Sequence, residues 1–118
     1  MSASSPEASG ILERLADDCV WTVGGRSALA GEYRGRPAIA AFLRRTQELT
    51  DGTYAVEIRW QLAGDGHGVT YYRARGRRPD GREIDLDQAL VLELGAGGLA
   101  TRVRALPFDQ GVFDRFWS

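Results

Sequence analysis

The chain has 118 residues, 43% hydrophobic, 26% charged and 9% aromatic, with a formal charge of -1. Those figures fit one globular domain over residues 1–118, and they exclude disordered, collagen-like and membrane-spanning classes and any broad basic field for nucleic acid. All fifteen basic residues are arginine, which removes lysine chemistry, and with one histidine (His67) and one cysteine (Cys19) neither a zinc site of His and Cys ligands nor a disulfide can be assembled within the chain.

Ser5-Pro6-Glu7 reads as an N-cap serine, a first-position proline and an acid in the first turn, so a helix is expected from Pro6 to about Ala16. Ala8, Ile11, Leu12 and Leu15 form its apolar stripe, and Asp17 and Asp18 stop it. Cys19 to Val23 is β-prone and ends at Gly24-Gly25, and Ala28 to Tyr33 forms a second, shorter strand. Gly35-Arg36-Pro37 opens the clearest helix, with Ile39, Phe42, Leu43 and Leu49 on one face and Arg44, Arg45, Gln47 and Glu48 largely outside. Thr50-Asp51-Gly52 ends it.

The rest alternates strand and turn. Tyr54, Val56, Ile58, Trp60 and Leu62 mark the buried face of a long strand, which Gly64-Asp65-Gly66 turns back. Strands follow over Val69 to Arg77, Arg82 to Leu94 and Leu99 to Leu106, the last two joined across Gly95 to Gly98, giving a four-strand antiparallel meander. The tail from Phe108 to Trp117 forms a last helical turn capped by Asp109, with Val112, Phe113, Phe116 and Trp117 inward.

Arg78-Pro79-Asp80-Gly81-Arg82 fixes a register. Proline and aspartate in a type I turn, then a left-handed glycine, make the three-residue hairpin loop with a bulge, so Arg78 faces Arg82. Counting inward, Arg77 pairs with Glu83, Arg75 with Asp85 and Arg73 with Asp87, while Gly76, Ala74, Tyr72 and Thr70 oppose Ile84, Leu86, Gln88 and Leu90. One face is thus a ladder of opposite charges. A two-residue loop would set three arginines against the apolar face at a cost of several kcal/mol per unpaired buried charge.

The stretches Leu15-Ala16-Asp17-Asp18-Cys19-Val20-Trp21, Gly31-Glu32-Tyr33-Arg34-Gly35-Arg36-Pro37-Ala38-Ile39-Ala40-Ala41-Phe42-Leu43 and Asp109-Gln110-Gly111-Val112-Phe113-Asp114-Arg115-Phe116-Trp117 resemble SnoaL-like polyketide cyclases. That family belongs to the nuclear-transport-factor-2-like superfamily, with ketosteroid isomerases and limonene-epoxide hydrolases. The resemblance implies an α+β fold, a curved antiparallel sheet wrapped on helices into a cone around a deep apolar pocket, and frequent homodimerisation. The chain departs from its relatives at their acid/base groups. The isomerase base position reads Val23, the end of the last strand reads Arg104-Ala105-Leu106 where cyclases and epoxide hydrolases hold an aspartate, and Arg73-Ala74-Arg75 replaces the hydrolases' Arg-x-Asp.

Gln88 is the only polar residue on the apolar face Ile84, Leu86, Leu90, Leu92, and a buried amide must be hydrogen-bonded, either to Tyr72 or to a ligand. The family alignment sets it at or next to the isomerases' oxyanion-stabilising acid. Gln88 and Tyr72 are therefore the candidate catalytic pair, with Trp21, Phe42 and Trp60 as apolar walls, and Tyr33 near the mouth, as substrate-binding candidates. Core packing is the competing reading for the aromatic residues. Asp85 and Asp87 belong to the arginine ladder, a two-residue Ala96-Gly97 turn puts Arg102 and Arg104 on the same face whereas the family alignment puts Arg104 in the pocket through a bulge, His67 is exposed in its turn, and Cys19 is structural.

Two functions are open: a cyclase, isomerase or epoxide-hydrolase type enzyme of secondary metabolism acting on an apolar polyketide- or terpenoid-like molecule, or a non-catalytic ligand-binding or dimerising module with the same pocket. Neither needs a metal or cofactor. A homodimer through the ladder face, which also carries Val69, Tyr71, Ala89 and Val91, is expected, with no nucleic-acid or membrane partner. Met1 to Gly10 shows neither a basic nor a hydrophobic leader segment, so a cytoplasmic location is expected.

Overall fold

The computed structural model describes residues 11–118. Six strands form one sheet in the order β2-β1-β6-β5-β4-β3: β1 (Leu15–Val23), β2 (Gly31–Arg34), β3 (Ala55–Gly64), β4 (His67–Arg77), β5 (Glu83–Leu94) and β6 (Ala100–Pro107). Helices α1 (Arg36–Leu49) and α2 (Gln110–Trp117) bury Ile39, Phe42, Phe113, Phe116 and Trp117 in one core with Trp21, Leu29 and Val103. The α+β fold with a curved sheet is thus the one expected. None of the described helices is long and apolar enough to cross a membrane.

The N-terminal region differs from its sequence pattern. Helical residues end at 13 and β1 begins at Leu15, four residues before the expected strand. Tertiary bonds override the local helical spacing there: Ala100 N donates to Arg14 O at 2.9 Å, and Arg36 Nε and Nη2 both donate to Leu15 O, at 2.9 and 2.6 Å. The expected cap at Ser5–Glu7, and Ala8, lie outside the described residues. β1 runs antiparallel to β2 but parallel to β6, so the short N-terminal strands extend the meander. Gly35 turns the chain from β2 into α1 at φ 85° and ψ 157°, a conformation that is essentially glycine's alone, while its N–H donates to Cys19 O.

The β4–β5 register is the one the hairpin dictates, from Arg77 opposite Glu83 through Tyr72 opposite Gln88 to Thr70 opposite Leu90. Arg78 N donates to Arg82 O at 2.7 Å, and Gly81 takes φ 97°. β3 does not keep its alternation. Ile58 pairs with Tyr72 but Trp60 with Tyr71, so Arg59 is the extra residue of a bulge, and Trp60 and Leu62 turn to the outer, convex face. At the β5–β6 loop Gly95 N donates to Leu99 O, a three-residue connection where a two-residue turn was expected. A second irregularity between Leu94 and Glu93 cancels that offset, so Arg102 and Arg104 face outward and Arg102 pairs with Glu93 at 3.7 Å.

On the outer face Arg73 donates to Asp85 at 2.7 Å and to Asp87 at 3.0 Å, and Arg75 to Asp85 at 3.1 Å. Arg73 holds the Asp85 carboxyl below its ordinary range, and the Tyr71 hydroxyl followed by Arg73 does the same for Asp87. Their share of stability is therefore present above about pH 4 and lost as pH falls through the depressed values. Reversing Asp85 to Arg sets like charges side by side. The expected result is a small fall in melting temperature at low ionic strength that largely disappears near 1 M salt, where the Debye length is about 3 Å. A loss that salt leaves unchanged would contradict the exposed ladder.

Candidate functional site

The concave face of the sheet and the two helices enclose a cavity of about 480 Å³. α1 contributes Phe42, Leu43 and Arg44, β1 contributes Trp21 and Val23, and Trp117 closes it from α2. Tyr72 and Gln88 project into it from neighbouring strands because the hairpin register puts both on the inner face.

Gln88 is 1% exposed and accepts a 2.9 Å hydrogen bond at Oε1 from the Tyr72 hydroxyl. Its Nε2 has no partner, and the same holds for the indole nitrogens of Trp21 and Trp117, both lining residues. Buried polar groups are almost always paired, so three unpaired donors around one apolar cavity mark where an acceptor belongs. Burial pushes the Tyr72 hydroxyl well above its ordinary value and raises that of Tyr54, so both stay protonated. Among the described lining residues there is no carboxylate and no histidine; Val23, the position that the sequence resemblance sets against the isomerases' base, is 3% exposed in the cavity wall. The site can therefore donate hydrogen bonds to a developing oxyanion, but its described side chains hold no base. Nor does any group of three His, Cys, Asp or Glu among the described residues come together as a metal site.

Four of the six candidate residues, Gln88, Tyr72, Trp21 and Phe42, meet at this cavity. Trp60 does not. The bulge at Arg59 sends it outward, where it is 47% exposed and stacks on Tyr71 at 5.1 Å, so it is no pocket wall. Tyr33 is also placed differently: its hydroxyl donates to Leu29 O at 2.6 Å and its ring lies 4.5 Å from Phe42, behind the lining. Cys19 is fully buried, His67 is exposed, and Asp109 caps α2 by accepting from Val112 N at 3.1 Å. Tyr54, Trp117 and Arg44 line the cavity without having been singled out as site residues. The signal for Trp117 was an indole N–H in an inward tail, which needs an acceptor; Arg44 falls on the polar side of the α1 pattern and carried none.

The SnoaL-like domain family profile matches residues 4–103. The chain belongs to that family. An uncharacterised protein of Mycobacterium tuberculosis is 34% identical over 105 residues, covering 88% of this chain and 79% of its own. Among solved structures, Bal32a from a soil-derived mobile gene cassette superposes with a TM-score of 0.88 at 27% identity, covering 99% of this chain and 88% of that one. TerC, co-crystallised with polyporic acid, superposes with a TM-score of 0.77 at 21% identity over 92% of this chain and 84% of its own. Others with this architecture are described as nuclear-transport-factor-2-like.

The Tyr72–Gln88 bond makes a stability prediction. Tyr72→Phe leaves a buried amide oxygen without its donor and should cost about 1–3 kcal/mol in urea denaturation, whereas Tyr72→Phe combined with Gln88→Leu should recover part of that loss. Strictly additive losses would mean the two groups are not coupled.

Proposed function

We propose that the protein is a cofactor-independent enzyme of secondary metabolism, of the cyclase, isomerase or epoxide-hydrolase type, acting on an apolar polyketide- or terpenoid-like molecule that carries a carbonyl or enol oxygen. The observation that carries this reading is the unpartnered Gln88 Nε2 at the wall of an apolar cavity, braced by Tyr72. An amide held this way is preorganised for an oxygen that gains charge, and rate enhancement comes from orientation and oxyanion stabilisation. Proton removal then falls to water or to the substrate itself. TerC, of the same fold, was crystallised with polyporic acid, which supports a small organic ligand for a protein of this architecture. The described lining's lack of a carboxylate or histidine favours a second reading, a ligand-binding module that uses the same contacts without turnover.

2-Tetralone, flat, apolar and enolisable, separates the two. Its binding is read by quenching of tryptophan fluorescence, and its enolisation by deuterium uptake in heavy water. The enzyme reading expects binding and accelerated uptake, with Gln88→Leu folded but weaker by roughly 1–3 kcal/mol in affinity or rate. Binding without acceleration selects the module, and no binding rejects both.

The working unit proposed is a homodimer formed through the outer sheet face. The bulge adds Trp60 and Leu62 to Tyr71, Leu106 and Phe108 there, with Leu62 65% and Phe108 61% exposed beside the charge ladder. Such an apolar stripe with charged flanks suits a self-complementary two-fold contact. Light scattering should give twice the chain mass, and Leu62→Asp should reduce it to one; a wild-type monomer at high micromolar concentration would overturn the assembly.

A further inference from the structure

Several donors without partners gather at the cavity. Gln88 Nε2 and the Trp21 and Trp117 indoles offer donors without partners, the Tyr54 and Tyr72 hydroxyls stay protonated, and the one charged lining side chain among the described residues is Arg44, exposed at the rim on α1. Arg44 forms no ion pair or hydrogen bond with the described residues, although most arginines of the sheet are paired with carboxylates. The donors are also spread out. Trp21 lies on the cross-strand row of Val103 and Leu92, and Gln88 on that of Tyr72 and Pro107, four residues along β5, about 13 Å at the backbone.

We propose that the cavity takes its apolar ligand as a monoanion, with the ionised oxygen toward Arg44 at the rim and a neutral carbonyl oxygen on the Gln88 amide. This rests on the small-molecule reading above and adds the ligand's charge and shape. A guanidinium beside an apolar wall keeps its hydration only until a ligand covers it, and an oxyanion restores the lost bonds with charge-assisted ones. A neutral ether or ester in the same place accepts weaker bonds, and a cation is repelled by an unopposed positive charge. The spread of donors selects a body of two or three fused rings with oxygens at separated edges. An ionised hydroxyquinone or aromatic keto-acid has this pattern.

Two probes of nearly equal shape test it: 2-hydroxy-1,4-naphthoquinone, an enolate at neutral pH, and 2-methoxy-1,4-naphthoquinone, which is neutral. Titration of the full chain, followed by tryptophan quenching and calorimetry, should show the enolate bound roughly tenfold more tightly, with a preference that shrinks as salt rises. Arg44→Gln, at an exposed position and checked for fold by circular dichroism, should bring the two affinities together, while Gln88→Leu should weaken both probes. Equal affinities in the wild type, or a preference that survives Arg44→Gln, would overturn the inference and leave the cavity reading standing if the methoxy probe binds. Failure of both probes to bind would remove the cavity reading and this inference with it.

Discussion

The three-residue turn at Pro79-Asp80-Gly81 sets both walls of the cavity. Asp80 accepts from Arg82 N at 3.1 Å and from Arg82 Nε at 2.8 Å, and Gly81 in the left-handed region completes the bulged loop that opposes Arg78 and Arg82. A slip of one residue would exchange every side chain between the faces, turning the Arg73, Arg75 and Arg77 row into the core and Tyr72 out of it. The same two arginines also reach α2. Arg78 Nη1 donates to Phe116 O at 2.7 Å and Arg82 Nη1 to Arg115 O at 2.8 Å, satisfying carbonyls at the helix C-terminus and holding Trp117 over the cavity.

Where structure follows from adjacent residues, the sequence was informative. The Pro-Asp-Gly hairpin, the charge ladder, the Asp109 cap and the α1 stripe each rest on local chemistry, and together they placed Gln88 opposite Tyr72. The misplaced residues depend on partners distant in the chain. Trp60 and Leu62 continue an apolar alternation, and nothing in that pattern reveals that Arg59 is an extra residue, because both faces of the strand have apolar partners to offer: Tyr72 inside, Tyr71 and Val69 outside. Tyr33 reads as a free phenol until Leu29 O is seen 2.6 Å from its hydroxyl. The start of β1 is likewise set from far along the chain, by Arg36 and Ala100, against a helical spacing that continues through Leu15.

The site sits in the family's architecture. Val23 is part of the apolar wall, and the described lining offers hydrogen-bond donors and one cation but no carboxylate. On the proposed reading the cavity holds and polarises a ligand oxygen with donors alone, which shifts selectivity onto the ligand's own acidity. A base at Val23 would be desolvated by the surrounding apolar wall.

The central claim is that the Gln88 amide donates to a ligand oxygen inside the cavity. The carbonyl stretching band of bound 1,4-naphthoquinone, isotope-labelled at oxygen and read by difference infrared spectroscopy, tests it most directly. The account predicts a band shifted to lower frequency than in hexane, with the shift lost in Gln88→Leu. A bound quinone whose carbonyl band matches the apolar solvent value in the wild-type protein, or whose shift survives in Gln88→Leu, would contradict it.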